Sequence, residues 1–192
     1  MYSDRPGLIL GFHGCDENVR NDVVLSKTNL KSSSNDHDWL GWGMYFWANS
    51  PERALGFASQ PRLKSKIKTP SVLGAVIDLK KCLDLLEYKN LTIVKNTYDH
   101  LSKIMKSANL ELPKNVAPPG ENESLLRKLD CFVIESLHKL NTKDQQYDSV
   151  MSVFLEGKEL YDNAGFREKN HIQICIRNPD CIKGYFIPRS KS

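Results

Sequence analysis

The chain has 192 residues, of which 40% are hydrophobic and 26% are charged. This length suits one sizeable core but not two, and the composition is that of a globular domain. No apolar run approaches the roughly 20 residues of a membrane-spanning helix, and the first residues lack the basic flank and cleavage site of a signal peptide. The sequence therefore predicts a single cytoplasmic domain, residues 1–192, with no membrane partner.

Charge and cysteine content narrow the class of protein further. The net charge of +4 suits an anionic cofactor, but it does not by itself indicate a nucleic-acid-binding protein. The densest cationic run, RLKSKIK at residues 62–68, is interpreted as a solvated loop rather than a phosphate-contacting patch. The five cysteines form no CxxC pair, so we expect reduced thiols and no metal site.

The first part of the chain predicts strands and one helix. The segments LILGFHG (residues 8–14) and GMYFW (residues 43–47) are apolar, rich in aromatic residues and bounded by glycines, which favours strands. Ser50, Pro51 and Glu52 predict a helix start, with a hydroxyl N-cap, proline at the first helical position and an acid in the first turn. We expect this helix to end near residue 60 and a further strand to follow at residues 72–79.

The middle of the chain has a helical pattern. Apolar residues repeat at helical spacing in two stretches, which predicts two helices. A connector rich in proline and asparagine, ELPKNVAPPGENE at residues 111–123, separates them. We interpret residues 81–141 as a helical insertion within the domain. The repeating residues are Leu101, Ile104, Met105 and Ala108, followed by Leu125, Leu129, Phe132, Val133 and Leu137.

The last part of the chain returns to strands, SVMSVFL at residues 149–155 and HIQICIR at residues 171–177, with a loop between them. Because side chains alternate across a strand, His171, Gln173 and Cys175 should share the face opposite the isoleucines. A turn at residues 178–180 then precedes a final edge strand at residues 185–187.

The order of these elements, strands then helices then strands, predicts an α+β fold with a mixed or mostly antiparallel sheet. The segment GWGMYF contains G-x-G, but it leads into a strand and not into a helix. The glycine fingerprint of dinucleotide-binding Rossmann folds is therefore absent.

Three segments taken together resemble the ADP-ribosyltransferases of the poly(ADP-ribose) polymerase and diphtheria-toxin branch. They are GFHG (residues 11–14), DWLGWGMYFWANSPERALGFA (38–58) and KNHIQICIRNPDCIKGYF (169–186). That branch has a histidine in an HG dipeptide, a tyrosine in a G-x-G-x-Y-F strand and a glutamate on a late strand that ends in an Asn-Pro turn. The resemblance implies a split β-sheet that holds this H-Y-E triad, and it covers both flanks of the chain but not the helical middle.

The resemblance also implies a role for each matching residue in binding NAD. His13 would bind the ribose on the adenosine side, and the backbone of Gly14 would hold the nicotinamide carboxamide. Tyr45 would stack on the nicotinamide ring, with Phe57 as the second ring of the clamp. The serine that bonds the carboxamide in the family aligns with Arg53, and Ser50 lies nearby; that contact stays open.

The sequence departs from the family at the catalytic glutamate. Counting back from the Asn-Pro turn, that position is Gln173, and His171 lies two residues before it. A glutamine can hydrogen-bond a ribose hydroxyl, but it carries no charge to stabilise the oxocarbenium-like ribosyl cation, which weakens transition-state stabilisation by roughly 2–4 kcal/mol. Glu156 or Glu168, both in the preceding loop, could supply the missing carboxylate, although loop acids are more often only solvated.

The same loop corresponds to the substrate-recognition loop of the family, so Phe166, Glu168 and His171 are candidate acceptor contacts. Cys175 has no base beside it in the sequence, and we interpret it as part of the core.

The function implied by this resemblance is mono-ADP-ribosylation of a protein or nucleic acid, with NAD as co-substrate. The enzyme would act as a toxin or defence effector of bacterial or phage origin, with an antitoxin or regulator as a further partner. Two alternatives stay open: an NAD glycohydrolase with water as acceptor, and a non-catalytic module that binds NAD or ADP-ribose. The replacement of glutamate by Gln173 is the main argument for the binding module.

Overall fold

A computed structural model describes residues 7–117 and 125–189. The strands are β1 (Ile9–Asp16), β2 (Met44–Ala48), β3 (Pro70–Ile77), β4 (Cys82–Asp84), β5 (Asn115–Val116), β6 (Leu126–Arg127), β7 (Ser149–Phe154), β8 (His171–Ile176) and β9 (Ile182–Phe186). The α-helices are α1 (Glu17–Val24), α2 (Pro51–Ala58), α3 (Tyr88–Ser107) and α4 (Lys128–Leu140). Short 3-10 helices lie at Pro61–Leu63, Lys143–Gln145 and Pro179–Cys181.

One mixed sheet organises these elements. Its seven strands lie in the order β4-β7-β8-β2-β1-β3-β9, while β5 and β6 form a separate pair. The β4–β7 pair is parallel and the other neighbours in the large sheet are antiparallel. The predicted α+β class with a mixed sheet is confirmed. The topology puts β8, from the end of the chain, directly beside β2.

Helices cover the two faces of the sheet differently. On one face α1 packs through Val23 against core residues that include Phe46. The opposite face carries α2 at the β1 side, where Ala54 packs on Phe12. At the β7 side the same face carries α4, through Ile134. We call this opposite surface the α2–α4 face.

Several boundaries differ from the predicted ones. Helix α2 ends at Ala58 rather than near residue 60, and β9 begins at Ile182, three residues before the predicted edge strand. Ser50 occupies the N-cap position, with Pro51 at the start of the helix, but its hydroxyl makes no capping hydrogen bond. The predicted helix start, with Ser50 as N-cap residue, is therefore confirmed, and only the expected bond from its hydroxyl is absent. Part of the predicted connector at residues 111–123 lies outside the described residues.

The sequence patterns did not predict α1 or β4. Helix α1 is mostly polar and buries a single residue, Val23, so it lacks the apolar periodicity that marks a helix. Its start is set by Asp16, whose side chain accepts a hydrogen bond from the Asn18 N–H. Strand β4 has three residues and exists through its parallel pairing with β7, a long-range contact that no local pattern encodes.

Candidate active site

Strands β1 and β2 separate at His13. They pair through only two residues each, ending at Phe12↔Trp47, whereas β1 continues to pair with β3 as far as Asp16. The imidazole of His13 lies where the strands part, with its Nδ1 atom 2.8 Å from the backbone oxygen of Tyr45. Because a carbonyl oxygen only accepts hydrogen bonds, Nδ1 is the donor, and Nε2 of the neutral ring is an acceptor.

The environment keeps His13 neutral. Burial lowers the pKa of its imidazole, and the hydrogen bond to the Tyr45 carbonyl only partly opposes this shift. The ring makes no other hydrogen bond with the described residues. A neutral imidazole held through Nδ1 can accept a hydrogen bond at Nε2 from a hydroxyl group of a ligand.

Gly14 is required by the packing of α2 on β1. A Cβ atom at this position would lie 2.1 Å from the backbone oxygen of Ala54 and 3.2 Å from the Cβ of Ala58. A side chain there would push α2 away from the sheet. The HG dipeptide therefore combines a polar group at the strand separation with a close contact between strand and helix.

Tyr45 is anchored by the loop that precedes its own strand. Its hydroxyl donates to the Gly41 carbonyl at 2.6 Å and accepts from the Leu40 N–H at 2.8 Å. Burial raises the pKa of this phenol far above its usual value, and the neighbouring Cys175 adds to the shift. The Cys175 thiol is itself fully buried, and burial raises its pKa well above its usual value, so it is not an activated nucleophile.

The G-x-G segment forms a tight loop fixed by a buried ion pair. Gly41 and Gly43 have φ values of +79° and +158°, conformations that side chains disfavour. The carboxylate of Glu135 accepts from the Trp42 N–H at 2.7 Å and pairs with the guanidinium of Arg177. The loop that holds the Tyr45 hydroxyl is thus tied to α4 and to the end of β8.

The second predicted ring, Phe57, packs against Trp47, with ring centroids 5.2 Å apart. It makes no ring contact with Tyr45 within the described residues. The structure therefore does not bring together the two predicted rings of the clamp. It brings Trp47 to Phe57 instead, and sequence reasoning treated Trp47 only as one aromatic residue among several.

Gln173 lies on an open part of the α2–α4 face. In the sheet it pairs with Trp47 of β2 and with Ser152 of β7. Gln173 and Ser152 are half-buried, whereas Ile174 and Cys175, which follow on the same strand, are fully buried. Helix α2 packs on β1, β2 and β3, and α4 packs at the β7 side of the sheet. We call the part of the face around Gln173, between these two packing regions, the cleft, and the strands there its floor. As predicted, His171, Gln173 and Cys175 lie on the face opposite the isoleucines of β8.

An ion pair spans this cleft. The Nη2 atom of Arg53 on α2 lies 2.9 Å from Oε2 of Glu156, which follows β7, and each side chain is 18% exposed. The ammonium of Lys169 lies 3.7 Å from the other carboxylate oxygen. Glu156 is therefore held at the cleft by two cations. Sequence reasoning did not find this pair, because 103 residues separate the two partners.

The remaining predicted residues divide into two groups. His171 is buried between Trp47 and Phe154, at ring-centroid distances of 6.3 and 5.7 Å. Phe166 is 60% exposed, and Glu168 is also exposed in the loop between β7 and β8. The structure thus brings His171 into the cleft and leaves Phe166 and Glu168 on the surface.

The buried histidines make folding sensitive to pH. Burial lowers the pKa of His13, His138 and His171 below the ordinary histidine value of about 6.5. The unfolded chain then binds more protons than the folded chain as the pH falls below 6.5, so stability present above that pH is lost on acidification. We expect the urea concentration at the midpoint of unfolding to be lower at pH 5.5 than at pH 7.5.

Single-residue variants separate the contribution of the buried histidines to this pH dependence from that of the carboxylates. His138→Gln should make the fall in midpoint smaller, whereas His100→Gln, at an exposed position, should leave it unchanged. A midpoint with the same pH dependence in all three proteins would contradict the assignment.

Other features lie away from the cleft or are not found in the described part of the chain. A surface cavity of about 590 Å³, lined by residues that include Trp42, Tyr147 and Asn178, contains none of the predicted site residues. The five cysteines are free thiols. Within residues 7–117 and 125–189 no group of three or more His, Cys, Asp or Glu side chains could hold a metal ion. No helix in the same ranges is long and apolar enough to span a membrane.

Comparison of the chain with protein-family models, curated proteins and solved structures finds no match.

Proposed function

We propose that the protein is a mono-ADP-ribosyltransferase of the H-Y-E type, with Gln173 at the position of the catalytic glutamate. It binds NAD in the cleft between α2 and α4 and transfers ADP-ribose to a macromolecular acceptor in the cytoplasm. The observation that carries the proposal is the separation of β1 from β2 at His13, where a neutral imidazole bridges to the Tyr45 carbonyl. The resemblance predicts a split sheet with a ribose-binding histidine at this point.

The proposed binding mode assigns chemical roles on both sides of the sheet at the strand separation: the ring of His13 lies beside Phe46 on the α1 side, and the other groups lie in the cleft. The Nε2 atom of His13 accepts a hydrogen bond from a ribose hydroxyl, and the backbone of Gly14 holds the carboxamide. The aromatic rings of Tyr45 and Trp47 contact the nicotinamide and exclude water. When the glycosidic C–N bond breaks, its electron pair stays on the nicotinamide nitrogen, and Gln173 orients the ribosyl group by hydrogen bonding.

One observation favours a second candidate, a module that binds NAD without cleaving it. The carboxylate that could replace the family's glutamate, Glu156, is paired with Arg53 and Lys169. Gln173 on the cleft floor carries no charge. A cleft arranged in this way can hold the dinucleotide while giving little stabilisation to a ribosyl cation.

The test is nicotinamide release from NAD by the purified protein, with and without cell lysate. We expect lysate-dependent release, and we expect His13→Ala to lower it by about 100-fold, comparable to the loss of a preorganised hydrogen-bonding group. His100→Ala, at an exposed position on α3, should leave release unchanged and serves as the control.

The other outcomes separate the candidate functions. Release in buffer alone would indicate a glycohydrolase. Binding of NAD without release would indicate the binding module. Neither binding nor release would refute the assignment.

A further inference from the structure

Three buried polar atoms in the cleft have no hydrogen-bond partner within residues 7–117 and 125–189: Nε1 of Trp47, Nε of Arg53 and Nε2 of His171. Trp47 is 5% exposed and His171 is 7% exposed, so both side chains are shielded from bulk solvent. Buried polar atoms without partners are rare, because each loses the hydrogen bonds it would make in water. Three of them on residues that contact one another mark a candidate site for a bound polar group.

These atoms belong to one contact group. The rings of Trp47 and His171 lie 6.3 Å apart between centroids, and the Cζ atom of Arg53 lies 5.9 Å from the Trp47 ring. The three residues come from β2, α2 and β8, which meet at the cleft floor beside Gln173. The Arg53–Glu156 ion pair joins α2 to the loop after β7 at the same place.

The unpaired atoms define the hydrogen bonds that the missing group must make. The Nδ1 atom of His171 lies 2.7 Å from the backbone oxygen of Lys169, so Nδ1 is the donor and Nε2 of the neutral ring is an acceptor. Trp47 Nε1 and Arg53 Nε each carry a hydrogen and only donate. The site thus offers two donors and one acceptor. A hydroxyl group, which accepts two hydrogen bonds and donates one, has the matching pattern.

We propose that Trp47, Arg53 and His171 form the binding site for the attacking hydroxyl group of the acceptor, covered in the free protein by the Arg53–Glu156 ion pair. The inference rests on the proposed function, because the hydroxyl reacts with NAD. As its oxygen bonds to the ribosyl carbon, its proton passes to Nε2 of His171. The C–N bond to nicotinamide breaks, and the electron pair remains on the nicotinamide nitrogen.

The charges around His171 suit this role. Burial is the main cause that lowers the pKa of His171, the Lys169 carbonyl raises it, the Arg53 guanidinium lowers it further, and the Glu156 carboxylate raises it. The ring is therefore neutral and able to take a proton at pH 7. Once protonated, it is stabilised by Glu156. Two further cations lie near the ring: the ammonium of Lys169, which pairs with Glu156, and the guanidinium of Arg127 across Phe154.

The first experiment detects the hydroxyl site without any reaction. The chain has three tryptophans; the indole N–H groups of Trp39 and Trp42 donate to the backbone oxygens of Leu125 and Asn35, whereas that of Trp47 is unpaired. In a ¹⁵N-tryptophan NMR spectrum, with Trp47→Phe for assignment, methanol should move the Trp47 signal downfield and leave the other two in place. Glu156→Gln should produce the same shift at lower methanol concentration because the ion pair is weakened.

The second experiment tests the proton transfer with the same probe. With NAD and methanol, the wild type should release nicotinamide and form methyl ADP-ribose, whose methyl group distinguishes the alcohol from water as acceptor. We expect His171→Gln to lower release by about 100-fold, as for loss of a general base, with the Kd for NAD unchanged. The decline in rate at low pH should also disappear in this variant.

The outcomes distinguish this inference from the proposed function. A Trp47 signal that methanol does not move, or full activity with an unchanged pH profile in His171→Gln, would overturn the hydroxyl site while leaving the transferase intact. A wild type whose Trp47 signal moves but which releases no nicotinamide would overturn the proposed reaction and the proton transfer, and it would leave a hydroxyl-binding site.

Discussion

We expect Gln173→Glu to raise the rate of nicotinamide release by roughly 100-fold, corresponding to about 3 kcal/mol of transition-state stabilisation. The new carboxylate would stand on the cleft floor, between Trp47 of β2 and Ser152 of β7. There it would face the ribosyl carbon as positive charge develops. Glutamate is close to glutamine in volume, and position 173 is half-buried, so the fold tolerates the charge. Steady-state release of nicotinamide from NAD is the measurement.

Two variants serve as controls for this gain. Gln173→Met keeps the length of the side chain but adds no charge, and it should give no increase. Gln145→Glu makes the same chemical change at an exposed position and should leave the rate unchanged. If Gln173→Glu binds NAD and stays folded but reacts no faster than the wild type, the floor of this cleft is not the site of bond cleavage.

The second large effect concerns stability. Glu135→Ala should lower the free energy of unfolding by about 3–5 kcal/mol, the usual loss when one partner of a buried ion pair is removed. The substitution leaves the guanidinium of Arg177 without its carboxylate partner and the Trp42 N–H without its acceptor. Because the same loop holds the Tyr45 hydroxyl through Gly41, NAD binding should weaken as well. Urea unfolding and a binding titration measure the two effects.

The matched control is an exposed ion pair in the neighbouring helix. Lys95 and Asp99 on α3 are 65% and 45% exposed, and Asp99→Ala should lower the free energy of unfolding by only about 0.3–0.5 kcal/mol, as is typical of exposed helical pairs. The double variant Glu135→Met with Arg177→Met should be more stable than Glu135→Ala, because no buried charge is left unpaired. Equal losses of unfolding free energy for Glu135→Ala and Asp99→Ala would show that the buried ion pair contributes no more to stability than the exposed pair.

Much of the candidate site could be predicted from the sequence because its parts lie in short segments with strong local patterns. The HG dipeptide, the G-x-G-x-Y-F strand and the alternation in β8 each combine few residues with a definite chemical requirement. The glycines illustrate this: a side chain at Gly14 would collide with α2, and Gly41 has a positive φ value. Such requirements are visible in the residue type itself.

The ion pairs could not be predicted in the same way. Arg53 meets Glu156 across 103 residues, and Glu135 meets Arg177 across 42 residues. A charged side chain in a sequence carries no information on which distant partner it will contact. The unpaired atoms of Trp47 and His171 were equally hidden, since a missing hydrogen bond exists only once the neighbours of an atom are known.

By itself the sequence determined the α+β class, the main strands, the two central helices and the alternation that puts Gln173 and His171 on one face of β8. These features follow from local periodicity and from the conformational limits of glycine and proline. Only the tertiary structure decided that β8 lies beside β2, that β1 leaves β2 at His13, and that Phe57 packs on Trp47 instead of facing Tyr45. The physical reason is that strand order and side-chain contacts are set by packing between segments far apart in the chain, where hydrophobic burial and charge pairing act without any local signal.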